Sequence, residues 1–328
     1  MKLATLKSGR DGKLVVVSRE LRTATLVEDI APTLQSALDE WDDVVDRLQA
    51  IYANLNNGNY KQAFNLDLSS LAAPLPRAYQ YLDGACYVCH IRRNREARGD
   101  RLPDDILDAP LIYQGISHGY GAWNDPIRQR ESDLIDFEAE IAAITGDVPR
   151  GVSAEDATRH IRLFCLLQDT SLRRIVAPEL KRTFGFLTAK PESFLGPVAV
   201  TPDELGDLWD GKMVSGKMQV HLRGQQIGNI EAGIDSPFHY GDAIAHVAQT
   251  RSFVAGTVIG LGTVSNEAAD HDWSIGAGCI GEYRAMETIQ TGRARLEFMK
   301  HGDRVRIELL DYDGNPVMGA IDQIVETI

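Results

Sequence analysis

The hydrophobic pattern changes twice in the N-terminal part of the chain. Apolar and polar positions alternate over residues 1–29 around turn-forming glycines, which predicts short β-strands. From Leu34 to Leu55 apolar residues recur at spacings of three and four, which predicts one amphipathic helix ending at an Asn-Asn-Gly stop. Its apolar stripe could form a dimer seam, but packing on its own domain is the simpler interpretation. Pro74 and Pro76 then predict a boundary near residue 75.

The rest of the chain predicts few helices and many strands. A second helix is expected from Ser153 toward Leu167, because Ser153 can cap a first turn that carries two acidic residues. Beyond about residue 195, alternating patterns that end in turn residues predict strands and hairpins. The pattern therefore predicts an α+β protein dominated by β-structure, with a small N-terminal domain at 1–75 and a larger domain at 76–328.

Composition and charge exclude several classes of protein. With 44% hydrophobic and 25% charged residues, the chain is typical of a packed globular protein. Its 34 Lys and Arg against 47 Asp and Glu give a net charge of -13, which repels nucleic acids and anionic membrane surfaces. A small anionic ligand is still compatible if local cations or a metal attract it. No segment is typical of a signal sequence or membrane span, so we expect a cytoplasmic location.

A short cysteine motif has two interpretations. Cys86, Cys89 and His90 match the C-x-x-C-H pattern of covalent haem attachment. Such attachment belongs to exported proteins, which this sequence does not resemble. We therefore interpret the two thiols as small buried packing residues on a strand.

Acidic residues in apolar surroundings suggest a metal site. Glu138 and Glu140 project from the same face of a strand, which suits a hard divalent cation. Taken alone, this segment slightly favours another interpretation, in which Glu138 and Glu140 form the solvated acidic face of an amphipathic strand. Asp83, seven residues before His90, and Asp169, after an apolar run, favour the metal site, because an unpaired charge near a buried element is costly.

Taken in chain order, these segments resemble the fumarylacetoacetate hydrolase family, from about residue 78 to 325. The resemblance rests on the Asp-His spacing, the E-x-E pair and a D-x-S-x-R segment that begins at Asp169. It implies a small N-terminal β/α domain, a mixed β-sandwich or β-roll catalytic domain, and a homodimer. It further implies a metal-dependent hydrolase that cleaves a carbon–carbon bond in a small anionic β-diketo acid, such as fumarylacetoacetate or an acylpyruvate, in the breakdown of tyrosine or other aromatic compounds.

The resemblance also implies roles for ten residues. It places Mg²⁺ or Ca²⁺, with Mn²⁺ as a further candidate, at Asp83, Glu138, Glu140 and Asp169. It makes His90, oriented by Glu282, the general base for a water molecule, with Lys190 and Arg173 stabilising an oxyanion and with Tyr113 and Thr263 contacting the substrate.

Departures from the family pattern leave the reaction open. The family often has Tyr at the position of Ala85 and Gln at that of Val176. The same site could therefore decarboxylate an oxaloacetate-like acid, or isomerise or hydrate a dienoate, through an enolate. A structural role for His90, and a non-catalytic binding or scaffolding protein with a residual metal site, are further alternatives that the intact motifs disfavour.

Overall fold

The computed structural model describes residues 1–328 and contains 18 strands and eight α-helices. The strands are β1 (Lys2–Leu6), β2 (Lys13–Val17), β3 (Thr23–Leu26), β4 (Phe64–Asn65), β5 (Tyr81–Gly84), β6 (Ile112–Gln114), β7 (Ile127–Gln129), β8 (Ile135–Asp136), β9 (Ala139–Thr145), β10 (Ile161–Asp169), β11 (Ser171–Leu172), β12 (Ser193–Leu195), β13 (Ala199–Val200), β14 (Lys217–Leu222), β15 (Gln225–Glu231), β16 (Thr257–Gly260), β17 (Arg304–Leu310) and β18 (Pro316–Thr327). The helices are α1 (Leu34–Asp39), α2 (Trp41–Asn56), α3 (Val88–Glu96), α4 (Ala154–Ala157), α5 (Arg173–Arg182), α6 (Pro202–Leu205), α7 (Tyr240–Ala248) and α8 (Ile280–Thr291).

One large sheet joins the strands of the N-terminal segment to strands from the rest of the chain. It has 11 strands in the order β4-β3-β2-β1-β13-β10-β9-β16-β5-β6, with β12 paired to β10. A second sheet has five strands in the order β15-β14-β17-β18-β7. This strand-rich α+β architecture confirms the predicted fold class. Because β1 pairs with β13, the sheet crosses the expected boundary near residue 75, and the division into two domains stays a prediction.

The central strands of the large sheet are buried on both faces. Every residue of β9 is buried, with Ile141 in one hydrophobic cluster and Ala142 in another. Successive side chains of a strand point to opposite faces, so β9 separates two cores. A carboxylate on this strand therefore lies in the protein interior.

The predicted N-terminal helix is wrong in one respect, because it is two helices. Glu40 has a non-helical backbone (φ -120°, ψ 31°), so α1 ends before it and α2 begins after it. After the break Val44 is buried, and Val45 is partly buried against the same core. Leu34 and Leu48 are buried in the same cluster as the first strands, which confirms the interpretation that the stripe packs within the chain.

The predicted helix from Ser153 toward Leu167 is also wrong beyond its first turn. Ser153 Oγ accepts a hydrogen bond from the backbone N–H of Asp156 and caps α4, but that helix ends at Ala157. The apolar run that follows forms β10, paired with β9. A continuous apolar run fits a doubly buried strand as well as a helix, and pairing with β9 decides the outcome.

The cysteines are buried as predicted, but Cys86 and Cys89 do not lie on a strand. Strand β5 ends at Gly84, and Cys89 lies in the first turn of α3. None of the eight helices combines the length and the apolar character that a membrane span requires.

Candidate active site

A cavity of about 640 Å³ lies where α3, α5 and α8 meet the ends of β5 and β6. Asp83, Glu138 and His90 line it together with Lys190 and Arg173. The cavity is half apolar, with 14 hydrophobic residues among the 28 that line it. Such a mixture is typical of sites for small organic ligands.

Four carboxylates meet at the inner end of this cavity. Asp83 lies on β5, Glu140 on β9 and Asp169 at the end of β10, while Glu138 immediately precedes β9. One carboxylate oxygen from each of the four lies within 4.8 Å of those of the other three. All four are buried, with Glu138 only 6% and Glu140 0% exposed, so the alternative of a solvated acidic face is wrong.

Several oxygens of this cluster have no partner within the chain. Asp83 Oδ1 and both carboxylate oxygens of Glu140 are buried and accept no hydrogen bond. Burial, reinforced by the charge of Asp169, raises the pKa of Asp83 to about 8. Burial and the neighbouring carboxylates also raise the pKa of Glu140 well above its ordinary value. Unpaired buried carboxylates are unfavourable, and a divalent cation with a preference for oxygen ligands fits this donor set.

Gly260 on β16 provides the space between two of these carboxylates. It is paired with Asp83 in the parallel register of β16 and β5. A Cβ atom at Gly260 would lie 2.5 Å from Asp83 Oδ1 and 3.0 Å from Glu140 Oε2. Any side chain at this position would therefore displace a carboxylate.

Two cationic side chains, Lys190 and Arg173, each donate a hydrogen bond to a different carboxylate oxygen of Glu138. Lys190 Nζ donates to Glu138 Oε2 at 2.5 Å and lies 2.7 Å from Asp169 Oδ2, and Arg173 Nη2 donates to Glu138 Oε1 at 2.8 Å. Burial acts to raise the pKa of Glu138, but Lys190 and Arg173 outweigh it and hold that pKa well below its usual range. Glu138 is thus ionised, and two of the expected site residues fix its orientation.

His90 and Glu282 form a hydrogen-bonded pair. His90, on α3, has Nδ1 2.9 Å from Glu282 Oε2, on α8. Since a carboxylate accepts, this contact assigns the proton to Nδ1, and Asn94 Nδ2, 3.2 Å from His90 Nε2, fits the same tautomer. Burial alone would raise the pKa of Glu282, but His90 and Arg93 hold it below its ordinary value.

Arg93 supports the pair, and the sequence pattern did not single it out. Its side chain is fully buried and donates from Nη1 to Glu282 Oε1 at 2.7 Å and from Nε to Asp270 Oδ1 at 2.7 Å. Arg93 lies three residues after His90 on one helix face, a spacing that is detectable in the sequence once α3 is known.

Asp136 contacts Arg173, which binds the carboxylate cluster, and the sequence pattern did not single it out either. Its carboxylate accepts from Arg173 Nε at 2.7 Å and from the backbone N–H groups of Ile280 and Gly281 at the start of α8, at 2.9 and 2.8 Å. Asp136 therefore contacts both the start of α8 and Arg173, which in turn donates to Glu138.

The two residues expected to contact a substrate both line the cavity. Tyr113, on β6, donates its hydroxyl to Asp169 Oδ2 at 2.5 Å, and Thr263 follows β16. Seven of the ten residues that the sequence indicated for the site line this cavity. The other three contact that lining from behind: Glu140 and Asp169 belong to the carboxylate cluster, and Glu282 is hydrogen-bonded to His90.

Comparison with known families agrees with this geometry. Residues 1–77 match the profile described as fumarylacetoacetase N-terminal domain 2, and residues 80–326 match that of the fumarylacetoacetate (FAA) hydrolase C-terminal domain. The chain belongs to the fumarylacetoacetate hydrolase family, which confirms the resemblance inferred from its motifs.

Relatives within this family carry different reaction names. Fumarylacetoacetate hydrolase from Exiguobacterium antarcticum has a TM-score of 0.66 at 16% identity, covering 100% of both chains. Maleylpyruvate hydrolase from Sphingobium sp. SYK-6, in complex with manganese(II) and pyruvate, has a TM-score of 0.65 at 16% identity, covering 100% of this chain and 99% of that one. These similarities establish the fold.

A human relative is closer in sequence but only over part of its length. Oxaloacetate tautomerase FAHD2A of Homo sapiens is 29% identical over 161 residues, which is 47% of this chain and 48% of the relative. The chain spans about half the length of the curated relatives it matches.

Proposed function

We propose that this protein is a metal-dependent hydrolase that cleaves a carbon–carbon bond in a β-diketo acid, such as fumarylacetoacetate or an acylpyruvate. One observation carries the proposal: four buried carboxylates with unpaired oxygens lie at the same cavity as a His–Glu pair. The first group suits a divalent cation and the second suits activation of water.

Mg²⁺, Ca²⁺ or Mn²⁺ would be held by Asp83, Glu138, Glu140 and Asp169. When bound, such an ion polarises a carbonyl group and stabilises negative charge on oxygen. The four carboxylates exceed the charge of a single dication, and Lys190 and Arg173 reduce this excess through their contacts with Glu138.

His90 is the proposed general base. With the Nδ1 proton directed at Glu282, Nε2 carries the lone pair, and the residue lines the cavity with its side chain 15% exposed. Asn94 Nδ2 lies 3.2 Å from Nε2, and a water molecule would replace it as the partner of that nitrogen. It would accept a proton from the water molecule that attacks the substrate carbonyl, while Glu282 stabilises the resulting imidazolium. Arg93 acts through Glu282 and is a positioning residue.

Lys190 and Arg173 would stabilise the oxyanion formed by that attack. An ammonium group has three donors, of which Glu138 and Asp169 take two, so Lys190 keeps one. Arg173 uses Nε and Nη2 for Asp136 and Glu138, which leaves Nη1. Collapse of the oxyanion would break the carbon–carbon bond and leave its electron pair on the departing enolate, which is protonated to the ketone. Tyr113 and Thr263 would orient the substrate.

Isomerisation or tautomerisation is the second candidate, and the human oxaloacetate tautomerase relative favours it. A base beside a cation can move a proton on an oxaloacetate-like acid as well as activate water. Decarboxylation of such an acid would use the same charge stabilisation. Ala85 and Val176, the departures from the hydrolase pattern, both line the cavity.

A substrate panel distinguishes the candidates. Loss of ultraviolet absorbance would be followed for fumarylacetoacetate, an acylpyruvate and oxaloacetate, with Mg²⁺, with chelator and with His90→Ala. Cleavage of the diketo acids that needs both the ion and His90 supports the hydrolase. Conversion of oxaloacetate alone supports the second candidate, and the products separate carbon dioxide release from tautomerisation.

A further inference from the structure

The loop of residues 183–189, which follows α5, forms one wall of the cavity. Gly185 and Phe186 line the cavity, and Lys190 comes directly after the loop. The Phe186 ring packs edge-on against the Tyr113 ring, with the ring centres 5.2 Å apart, and its centre lies 5.9 Å from Lys190 Nζ. The position of this loop therefore decides where an aromatic wall and a cationic side chain of the site lie.

The side chains of the 183–189 loop do little to hold it. Phe184 is 100% and Leu187 82% exposed, so neither anchors the loop in a core. Thr183 has a φ of 62°, in the left-handed region that is unfavourable for a β-branched residue, and Gly185 has a φ of 95°. Ordering such a segment costs conformational entropy, so another part of the protein has to stabilise it.

Glu179, on α5, accepts four hydrogen bonds from this loop. Its Oε2 accepts from the backbone N–H groups of Leu187 and Ala189, at 3.0 and 3.1 Å. Its Oε1 accepts from the backbone N–H and the hydroxyl of Thr188, at 2.9 and 2.7 Å. Burial acts to raise the pKa of Glu179, but these hydrogen bonds outweigh it and hold that pKa below its ordinary value. The side chain is 7% exposed and forms no salt bridge, so the loop supplies all of its hydrogen bonds.

Glu179 also links the two cationic side chains of the site. The helix that carries it begins at Arg173, and the loop that it binds ends next to Lys190. Arg173 and Lys190 donate to different oxygens of Glu138. Ala189 is fixed on both sides, because its N–H donates to Glu179 and its C=O accepts a hydrogen bond of 2.8 Å from the backbone of β11.

We propose that Glu179 is a positioning residue for the reaction, which holds the 183–189 loop so that Phe186 stays packed against Tyr113 and Lys190 stays at the carboxylate cluster. Glu179 itself does not line the cavity and acts through the loop. This inference rests on the proposed function for its effect on turnover, whereas the hold on the loop can be measured without turnover.

Hydrogen exchange measured by mass spectrometry on Mg²⁺-loaded protein tests the hold directly. Glu179→Gln keeps the size of the side chain but turns an amide NH₂ group toward N–H donors of the loop. We expect the amides of residues 187–189 to exchange at least about tenfold faster, while those of β9 keep their wild-type rates. Glu20→Gln, at an exposed glutamate between β2 and β3, is the matched control and should leave the loop unchanged.

A milder variant keeps the test valid if Glu179→Gln does not fold. Thr188→Val removes one of the four hydrogen bonds and preserves the shape of an exposed side chain. We expect it to accelerate exchange in the 183–189 loop by about two- to tenfold.

Turnover of acetylpyruvate then distinguishes positioning from a general effect on stability. We expect Glu179→Gln to lower kcat/KM by about 10- to 100-fold, because the loop that it releases carries groups of the site. Phe186→Ala removes the side chain that the loop presents to Tyr113. If Glu179 acts through this wall, the double variant should lose little more than the more impaired single variant.

The outcomes separate the two proposals. Wild-type exchange rates at residues 187–189 in both Glu179→Gln and Thr188→Val overturn the hold on the loop. Losses of kcat/KM that multiply in the double variant overturn the positioning role and leave the proposed hydrolase standing. Absence of acetylpyruvate turnover by the wild-type protein overturns the proposed function, and faster exchange in Glu179→Gln would still support the hold on the loop.

Discussion

Replacing Asp83 by Asn removes one titratable carboxyl group from the carboxylate cluster at nearly constant size. Asp83 is 1% exposed, and burial together with the charge of Asp169 raises its pKa from 3.8 to about 8. In metal-free protein the folded state therefore keeps this proton up to a much higher pH than the unfolded chain does. The stability associated with this group is fully present below about pH 4 and is lost as the pH rises toward 8.

The size of this effect follows from the difference in pKa. One pKa unit corresponds to about 1.36 kcal/mol. The rise from 3.8 to about 8 thus corresponds to a loss of about 6 kcal/mol in the free energy of unfolding by the time Asp83 ionises. Asn does not titrate, and it also removes the Asp83 charge that helps to raise the pKa of Glu140, so both effects act in the same direction. We therefore expect Asp83→Asn to stabilise the metal-free protein by several kcal/mol above about pH 8 and to have little effect near pH 4.

Urea unfolding in the presence of chelator, at about pH 4.5 and about pH 8.5, measures this difference. Added Mg²⁺ should reduce the difference at the higher pH, because an ion that binds only the folded state stabilises it, and Asp83→Asn lacks one of the proposed ligands. A variant less stable than wild type at about pH 8.5 in chelator, or an equal response of both proteins to Mg²⁺, would refute the reasoning.

Four further substitutions test other parts of the site. His90→Ala and Glu282→Gln should each lower kcat by about 10²- to 10⁴-fold while Mg²⁺ affinity measured by calorimetry is unchanged; a parallel loss of Mg²⁺ binding would contradict the separate roles of the pair and the cluster. Arg93→Met leaves Glu282 buried without its cation, so chemical denaturation should show a loss of about 3–5 kcal/mol, and unchanged stability would argue against the buried ion pair. Gly260→Ala should weaken Mg²⁺ binding at least about tenfold, because its Cβ would displace a carboxylate; wild-type affinity would show that the cluster tolerates the extra carbon.

The four carboxylates of the cluster could be predicted from the sequence because short local patterns contain them. Glu138 and Glu140 have the spacing of one strand face, and Asp83 precedes His90 by seven residues. The order of these short segments was specific enough to indicate the family and the fold class before any contact was known.

The supporting residues could not be predicted in the same way. Asp136 is identified by its contacts with Arg173 and with the start of α8, more than a hundred residues away. Such features depend on tertiary packing, and no local spacing indicates them.

Local patterns also failed where tertiary packing decides the secondary structure. Ser153 does cap a helix, as its sequence pattern predicts. The apolar run from Ile161, however, forms a strand paired with β9 and does not extend that helix. The spacing from Leu34 fitted one helix, yet Glu40 divides it into two. In both cases the hydrophobic pattern identified most of the buried residues and left their backbone conformation undecided.

The most direct test of the central claim is product analysis with one acylpyruvate. Acetylpyruvate would be incubated with Mg²⁺-loaded protein, and acetate and pyruvate would be quantified over time. The account predicts equal amounts of the two products, with formation abolished by chelator and reduced about 10²- to 10⁴-fold by His90→Ala. Cleavage that persists without the metal, or consumption of the substrate without release of pyruvate, would contradict a metal-dependent hydrolase.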